Sequence, residues 1–188
     1  MRGSTTYTYN GDGTLVKQIA GGVTTLYTQD LASPLTQILQ TKIGAATATD
    51  YVYGLNHLAS LNGSTTIWYA SDALGSVRRT FGGVSATPLG VINYDPWGTP
   101  ESGSVPTFGF TGELQDAATG LVNLWARWYS TTQGKFTTVD PYAGDAETPY
   151  SLHQYQSFRW QTSASDDTVP YSLHPYAYAL SNPVNLSD

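Results

Sequence analysis

Thr5-Thr6-Tyr7-Thr8-Tyr9-Asn10-Gly11-Asp12-Gly13-Thr14-Leu15-Val16-Lys17-Gln18-Ile19-Ala20-Gly21-Gly22-Val23-Thr24-Thr25-Leu26-Tyr27-Thr28 alternates strand-sized runs with glycine pivots. In the first run the tyrosines fall on one face and the threonines on the other, the period of two that a half-buried strand requires. Asn10-Gly11 and Asp12-Gly13 suit turns that need positive φ. With the second pivot at Gly21-Gly22, the stretch predicts three antiparallel strands over 5–9, 14–19 and 23–28, joined as a hairpin meander.

The same pattern continues outward. Strands are predicted at 51–53, at 64–69 after Asn62-Gly63, at 76–81 before Gly82-Gly83, and at 90–94 before Asp95-Pro96-Trp97-Gly98. A denser block follows from 108 to 140. In it, 121–129 predicts one long aromatic strand, which Thr131-Thr132-Gln133-Gly134 turns into a strand over 135–139. On an unbroken strand Trp125 and Trp128 face opposite sides, so one of them belongs in the core. The segment 112–119 is the one stretch predicted as a short helical turn, ended by Gly120. Further on, Pro149-Tyr150-Ser151-Leu152-His153-Gln154-Tyr155 is nearly repeated by Pro170-Tyr171-Ser172-Leu173-His174-Pro175-Tyr176, 21 residues later. Between them 154–168 reads as a loop, and 176–178 as a return to strand. The fold class is all-β.

Composition supports this. Only 12% of the 188 residues are charged, while glycine, threonine, serine and tyrosine abound, a profile of many short strands and turns. The 8 basic residues are scattered and outnumbered by 14 acids, so no basic patch releases counterions from a phosphate backbone, and nucleic acid is not an expected partner. No apolar run approaches the ~20 residues of a membrane span. Met1-Arg2-Gly3-Ser4 leads into no apolar signal segment. Without cysteine there is no disulfide, thiolate ligand or thiol nucleophile. His153 and His174 hold equivalent places in the two copies, but with three histidines in all no metal site is expected, and no cofactor motif is present. Asp12, Asp72 and Asp95 lie beside glycines without the spacing of a Ca²⁺ loop, and turn capping accounts for them.

Several strings in order resemble one family. Tyr7-Thr8-Tyr9-Asn10-Gly11-Asp12-Gly13 looks like a tyrosine–aspartate (YD) repeat. The succession Tyr69, Asp72-Ala73-Leu74-Gly75-Ser76-Val77-Arg78, Tyr94-Asp95-Pro96-Trp97-Gly98, Phe110-Thr111-Gly112-Glu113, Asp116, Thr119-Gly120-Leu121, Ala126-Arg127-Trp128-Tyr129, Gly134-Lys135-Phe136 and Asp140-Pro141 is similar to the RHS-repeat-associated core domain. Tyr176-Ala177-Tyr178 and Asn182-Pro183-Val184-Asn185 resemble its closing segment. The resemblance implies a β sheet that spirals into a hollow shell with an inward-coiling C-terminal plug, as in polymorphic toxins. It divides the chain into YD-repeat hairpins at 1–63, the core at 64–141 and a plug segment at 142–188. It implies secretion or a bacterial cell-surface location, and a chain that continues a longer protein.

The resemblance also implies a chemistry. In the family a C-terminal polypeptide is released inside the shell by self-cleavage, attributed to two aspartates that each open an Asp-Pro-x-Gly motif. Asp140 matches the first, in Asp140-Pro141-Tyr142-Ala143-Gly144 with one extra residue before the glycine. Asp188 matches the second, 48 residues later and about twice the family's separation, with 149–170 as the inserted copy. Two adjacent carboxyls cannot both ionise cheaply, so one acts as acid while the other activates water or the amide. Arg127 can orient such a carboxylate, or stack in a cross-strand role. Asp140 can equally be a turn residue before proline. The family's usual aspartate after the Arg-Tyr-Tyr string is Ser130 here.

Two classes of function follow. The first is a shell that encloses and, by a single-turnover aspartyl autoproteolysis, releases a downstream toxin polypeptide, the partners being that polypeptide and upstream repeats of the same protein. The second is a non-catalytic binding module, adhering to glycans or proteins through its aromatic residues or forming a homo-oligomer through open β edges. The residues beyond Asp188 discriminate them.

Overall fold

The computed structural model describes residues 4–32, 36–54, 56–139 and 178. Asp140 and Asp188, the duplicated patches, the 154–168 loop and most of the 142–188 plug segment lie outside the described residues.

Nine strands pair strictly in chain order into one antiparallel sheet: β1 (Thr5–Tyr9), β2 (Leu15–Ala20), β3 (Val23–Asp30), β4 (Gln37–Ile43), β5 (Thr49–Tyr53), β6 (His57–Asn62), β7 (Thr65–Ser71), β8 (Val77–Gly82) and β9 (Pro88–Val91). A two-stranded sheet of β10 (Asn93–Tyr94) and β11 (Pro100–Ser102) follows. A four-stranded sheet of β12 (Leu114–Gln115), β13 (Leu121–Leu124), β14 (Arg127–Ser130) and β15 (Lys135–Phe136) completes the described architecture. A three-residue 3₁₀ turn, Phe110–Gly112, is the only helical element among the described residues. The fold is the all-β meander that the glycine-pivoted runs predict.

One turn chemistry recurs. Asn10 accepts the N–H groups of Asp12 and Thr14 on Oδ1, Asp72 those of Leu74 and Ser76, and Asp95 those of Trp97 and Thr99, all at 2.8–3.0 Å. The carboxamide or carboxylate thus pairs turn donors that no strand partner reaches. The third residue on is Gly13, Gly75 and Gly98, with φ of 79°, 86° and 86°. That left-handed backbone is what glycine adopts at little steric cost. Gly98 is also required by packing, since a Cβ there would lie 2.5 Å from the Phe110 ring.

Three predicted elements are corrected. The strand over 121–129 is a hairpin: Leu124 pairs with Arg127, so Trp125 and Ala126 form its two-residue turn, with Trp125 at φ 50°. Neither tryptophan is in the core; Trp125 is 40% exposed, and the buried residues are Val122 and Tyr129. Of the segment 112–119 only Gly112, which ends the 3₁₀ turn, is helical: Leu114–Gln115 pairs with β13, and a turn follows. The strand over 90–94 splits into β9 and β10 around Ile92, which is fully buried. Strands β4, β6 and β11 were not predicted.

Two apolar clusters lie where the later strands meet the nine-stranded sheet. Leu15, Tyr27, Ile38 and Tyr51 of that sheet pack with Phe108 and Leu114. Val77, Ile92 and Tyr94 pack with Phe110, Val122, Tyr129, Phe136 and Tyr178. The chain therefore folds back onto its own wall, and a residue such as Tyr129, 0% exposed, ties the end of the described chain to its middle.

Candidate functional site

The two layers are joined by a buried polar network around Asp116, which is 4% exposed. Tyr7 Oη on β1 donates to Asp116 Oδ2. Gln18 Nε2 on β2 donates to Oδ1 at 2.7 Å, Thr119 Oγ1 to Oδ2 at 2.6 Å, and the Ala118 N–H to Oδ1 at 2.9 Å. Tyr27 Oη on β3 extends the chain by donating to Gln18 Oε1 at 2.6 Å. Burial alone would raise the Asp116 pKa, but the donors from Thr119, Tyr7, Gln18 and Ala118 together outweigh it and hold the carboxyl below its ordinary value. A buried carboxylate with four donors is satisfied, and it locks β1–β3 to the segment after β12.

Beside this seam lies a cavity of about 640 Å³ between the sheet and the returning strands. Its lining includes Asp12, Gln29, Tyr53, His57, Glu113 and Trp125. The volume falls in the range of small-ligand sites. Glu113, three residues before Asp116, is treated in the opposite way. No hydrogen-bond donor or cation pairs with its carboxyl, and burial pushes its pKa up to about 7. Its charge in turn adds to the rise at Tyr53, behind the larger effect of burial.

His57 completes the cavity wall. It is 4% exposed, enclosed by Tyr51, Tyr53, Tyr69 and Phe108 at ring-centroid distances of 4.5–5.2 Å. Neither ring nitrogen has a hydrogen-bond partner of normal geometry. Burial pulls its pKa down to about 4, against a weak opposing pull from the Ala59 backbone. The imidazole is neutral at neutral pH. Trp125 lines the cavity from the β13–β14 turn and donates its indole N–H to the Thr36 carbonyl at 3.2 Å.

Of the residues singled out from sequence, Arg127 is described: its guanidinium lies 3.5 Å from the centroid of the Phe136 ring, the stacked arrangement a planar cation favours. Arg127 is not among the cavity-lining residues. Asp72 and Asp95 serve as turn caps, and Asp72 also pairs with Arg78 at 2.7 Å. At the first turn the cap is Asn10 rather than Asp12. Glu113 and His57 were missed as site residues. Glu113 sat inside a recognised string, Phe110-Thr111-Gly112-Glu113, but nothing in that string announces that its carboxyl is left without a donor. Among the described residues no group of three His, Asp or Glu could hold a metal ion, and no helix is long and apolar enough to cross a membrane.

A sequential meander of capped, glycine-pivoted hairpins folding back onto its own wall defines a protein of the YD-repeat β-shell class. The Teneurin YD-shell family matches residues 27–161, and the chain belongs to that family. The tRNA3(Ser)-specific nuclease WapA of Bacillus spizizenii is 26% identical over 147 residues, 74% of this chain and 6% of that protein. Among solved structures, TcdB2-TccC3 matches with 17% identity and a TM-score of 0.65, over 98% of this chain and 9% of that one. The Photorhabdus luminescens Tc holotoxin pore matches with 17% identity and a TM-score of 0.64, over 98% of this chain and 8% of that one. At this identity the structures establish the shared fold. The chain spans under a tenth of the length of each of these relatives.

Proposed function

We propose that this chain is a wall and closing segment of a YD/RHS shell that encloses a downstream polypeptide and frees it by one self-cleavage. The observation that carries the reading is the return of strands β12–β15 onto the sheet that precedes them, sealed by Tyr7, Gln18 and Asp116. A chain that coils inward against its own wall is what an enclosing shell needs at its end. In this reading 1–63 supplies YD hairpins, 64–141 the core and 142–188 the plug. Asp140 and Asp188 form the acid pair, and Arg127, the first residue of β14 and close to Asp140 in sequence, orients a carboxylate. The enclosed polypeptide is a toxin, and the protein acts outside the cell or at its surface.

The test is mass spectrometry of the chain extended through its natural downstream residues. The wild type splits once, shortly after the second Asp-Pro, and Asp140→Asn stays intact, because an amide neither shares the proton nor polarises the scissile carbonyl. A wild-type chain still intact after prolonged incubation at pH 5 to 7 removes the protease role and leaves the enclosing one.

A second reading, a binding module, is favoured by the opposite face of the sheet. Val52, Ala59, Trp68 and Phe81 stand in one cross-strand row there, with Val52 and Trp68 exposed. Self-association of the shell chain at micromolar concentration, lost on Trp68→Ser, would favour that reading.

A further inference from the structure

We propose that the cavity bounded by Glu113, His57, Tyr53 and Trp125 is a binding site for the cationic side chain of a polypeptide, with Glu113 as its counter-ion. Four observations meet there. The cavity has room for a lysine or arginine side chain and part of its backbone. Its lining holds two acids, Glu113 and Asp12, and no lysine or arginine. The Glu113 carboxyl has no donor, although three residues away Asp116 has four. Tyr53, Trp125 and Phe108 bring aromatic rings to the same walls, surfaces that attract an organic cation once water is displaced.

Desolvated charge selects among ligands. A half-buried carboxylate without a donor gains most from a partner that brings a full opposite charge and its own donors. A neutral sugar brings hydroxyl donors alone and leaves the charge uncompensated. A small inorganic cation needs several oxygen ligands at once, and the lining offers amides and aromatic rings around separate acids rather than a cluster. The neutral His57 adds a further aromatic ring to the wall, with both ring nitrogens buried.

The proposal rests on the shell reading for the source of the ligand, a segment of enclosed polypeptide, but its chemistry is tested separately from cleavage. Binding requires ionised Glu113, so affinity falls as the carboxyl takes up its proton. The other titratable groups facing the cavity are Asp12 from the β1–β2 turn, Tyr53 from β5 and His57 from β6. Tyr53 stays neutral throughout the neutral range and His57 charges only near pH 4, so Glu113 sets the dependence between pH 5 and 8.

The experiment titrates the full chain with acetyl-glycyl-lysyl-glycinamide, its arginyl counterpart and its norleucyl counterpart, following the Trp125 indole N–H by NMR. One or both cationic peptides saturate at pH 8, with affinity falling on the order of tenfold per pH unit well below 7. The norleucyl peptide does not bind. Glu113→Gln, shown folded by its amide spectrum, weakens the cationic peptides at least tenfold and removes the pH dependence. Equal binding of the norleucyl peptide or of a neutral disaccharide, unchanged affinity in Glu113→Gln, displacement by equimolar Mg²⁺, or no saturation by either cationic peptide at pH 8 overturns the proposal. A chain that cleaves itself yet fails this titration keeps the shell reading and loses the site.

Discussion

Replacing Glu113 by glutamine removes a half-buried charge that no donor or cation compensates, and its effect on stability has a defined sign and window. The carboxyl is raised from 4.5 to about 7 by desolvation. Between those values the folded state binds a proton that the unfolded state does not. The stability this contributes is fully present below 4.5 and is lost as pH rises through 7. At about 1.4 kcal/mol per pH unit, the gap corresponds to roughly 3 kcal/mol. His57 has the opposite sign: its folded value of about 4 lies below the ordinary 6.5, so its contribution is present above 6.5 and is lost toward 4. In the wild type the two slopes offset each other between about 4.5 and 6.5. In Glu113→Gln only the His57 slope remains, so the variant's stability rises with pH across that window. Urea unfolding followed by tryptophan fluorescence at pH 4.5, 6 and 8 measures this. The variant should match the wild type at pH 4.5 and exceed it by roughly 3 kcal/mol at pH 8, a melting temperature higher by about 6–12 °C for a domain of this size. A difference that does not change with pH, or a variant no more stable at pH 8, refutes the assignment of a desolvated, unpaired carboxyl.

Asp116→Ala strands the donors of Tyr7, Gln18 and Thr119, and should cost on the order of 3 kcal/mol or more in urea unfolding. Because Asp116 lies below its ordinary pKa when folded, its contribution is present at neutral pH and is lost in acid as pH falls through the folded value; the wild type and variant should therefore converge there. Gly22→Ala and Gly103→Ala both force alanine to positive φ, near 80° and 84°, but a Cβ at 22 meets open space while one at 103 lies 2.1 Å from the Val91 carbonyl oxygen. Gly22→Ala should cost about 1 kcal/mol from backbone strain alone, and Gly103→Ala clearly more, as read from the two melting temperatures.

The sequence announced those strands whose alternation and turns agree. β1 is legible to the residue because Tyr7 turns inward, Thr6 and Thr8 turn out, and Asn10 to Gly13 closes the run. β4 and β6 escaped because polar residues share their inward positions with the apolar Ile38 and Ala59. Thr41 is buried against the Tyr51 hydroxyl at 2.8 Å, and His57 and Ser60 face inward while Leu58 is exposed. Hydrophobic periodicity registers weakly where polar side chains take part of the inward face. The β13–β14 hairpin escaped for another reason. Its turn places Trp125 at φ 50°, a conformation bulky side chains rarely adopt, and no glycine or asparagine marks it. That backbone is held where the indole reaches Thr36 across the cavity. Of Glu113, His57, Tyr53 and Trp125 around the cavity only Glu113 lies in one of the family strings, and which acid in those strings lacks a partner depends on contacts between residues a hundred positions apart.

Glu113 and Asp116 flank the two-residue strand Leu114–Gln115, and the fold sets their acidities apart. The means of satisfying a buried carboxylate is plainly available in this segment, because Asp116 receives it from β1, β2 and its own turn. Nothing equivalent reaches Glu113, and the ionised group costs roughly 3 kcal/mol at pH 8. In a fold where Asp72, Asp95 and Asp116 are each matched to donors, an acid that weakens the isolated chain is most simply explained by a partner that the isolated chain does not contain. The cation site follows from that asymmetry. It also makes Glu113, more than the stacked Arg127, the described residue at which the stability of the shell and its function should be separable by a single substitution.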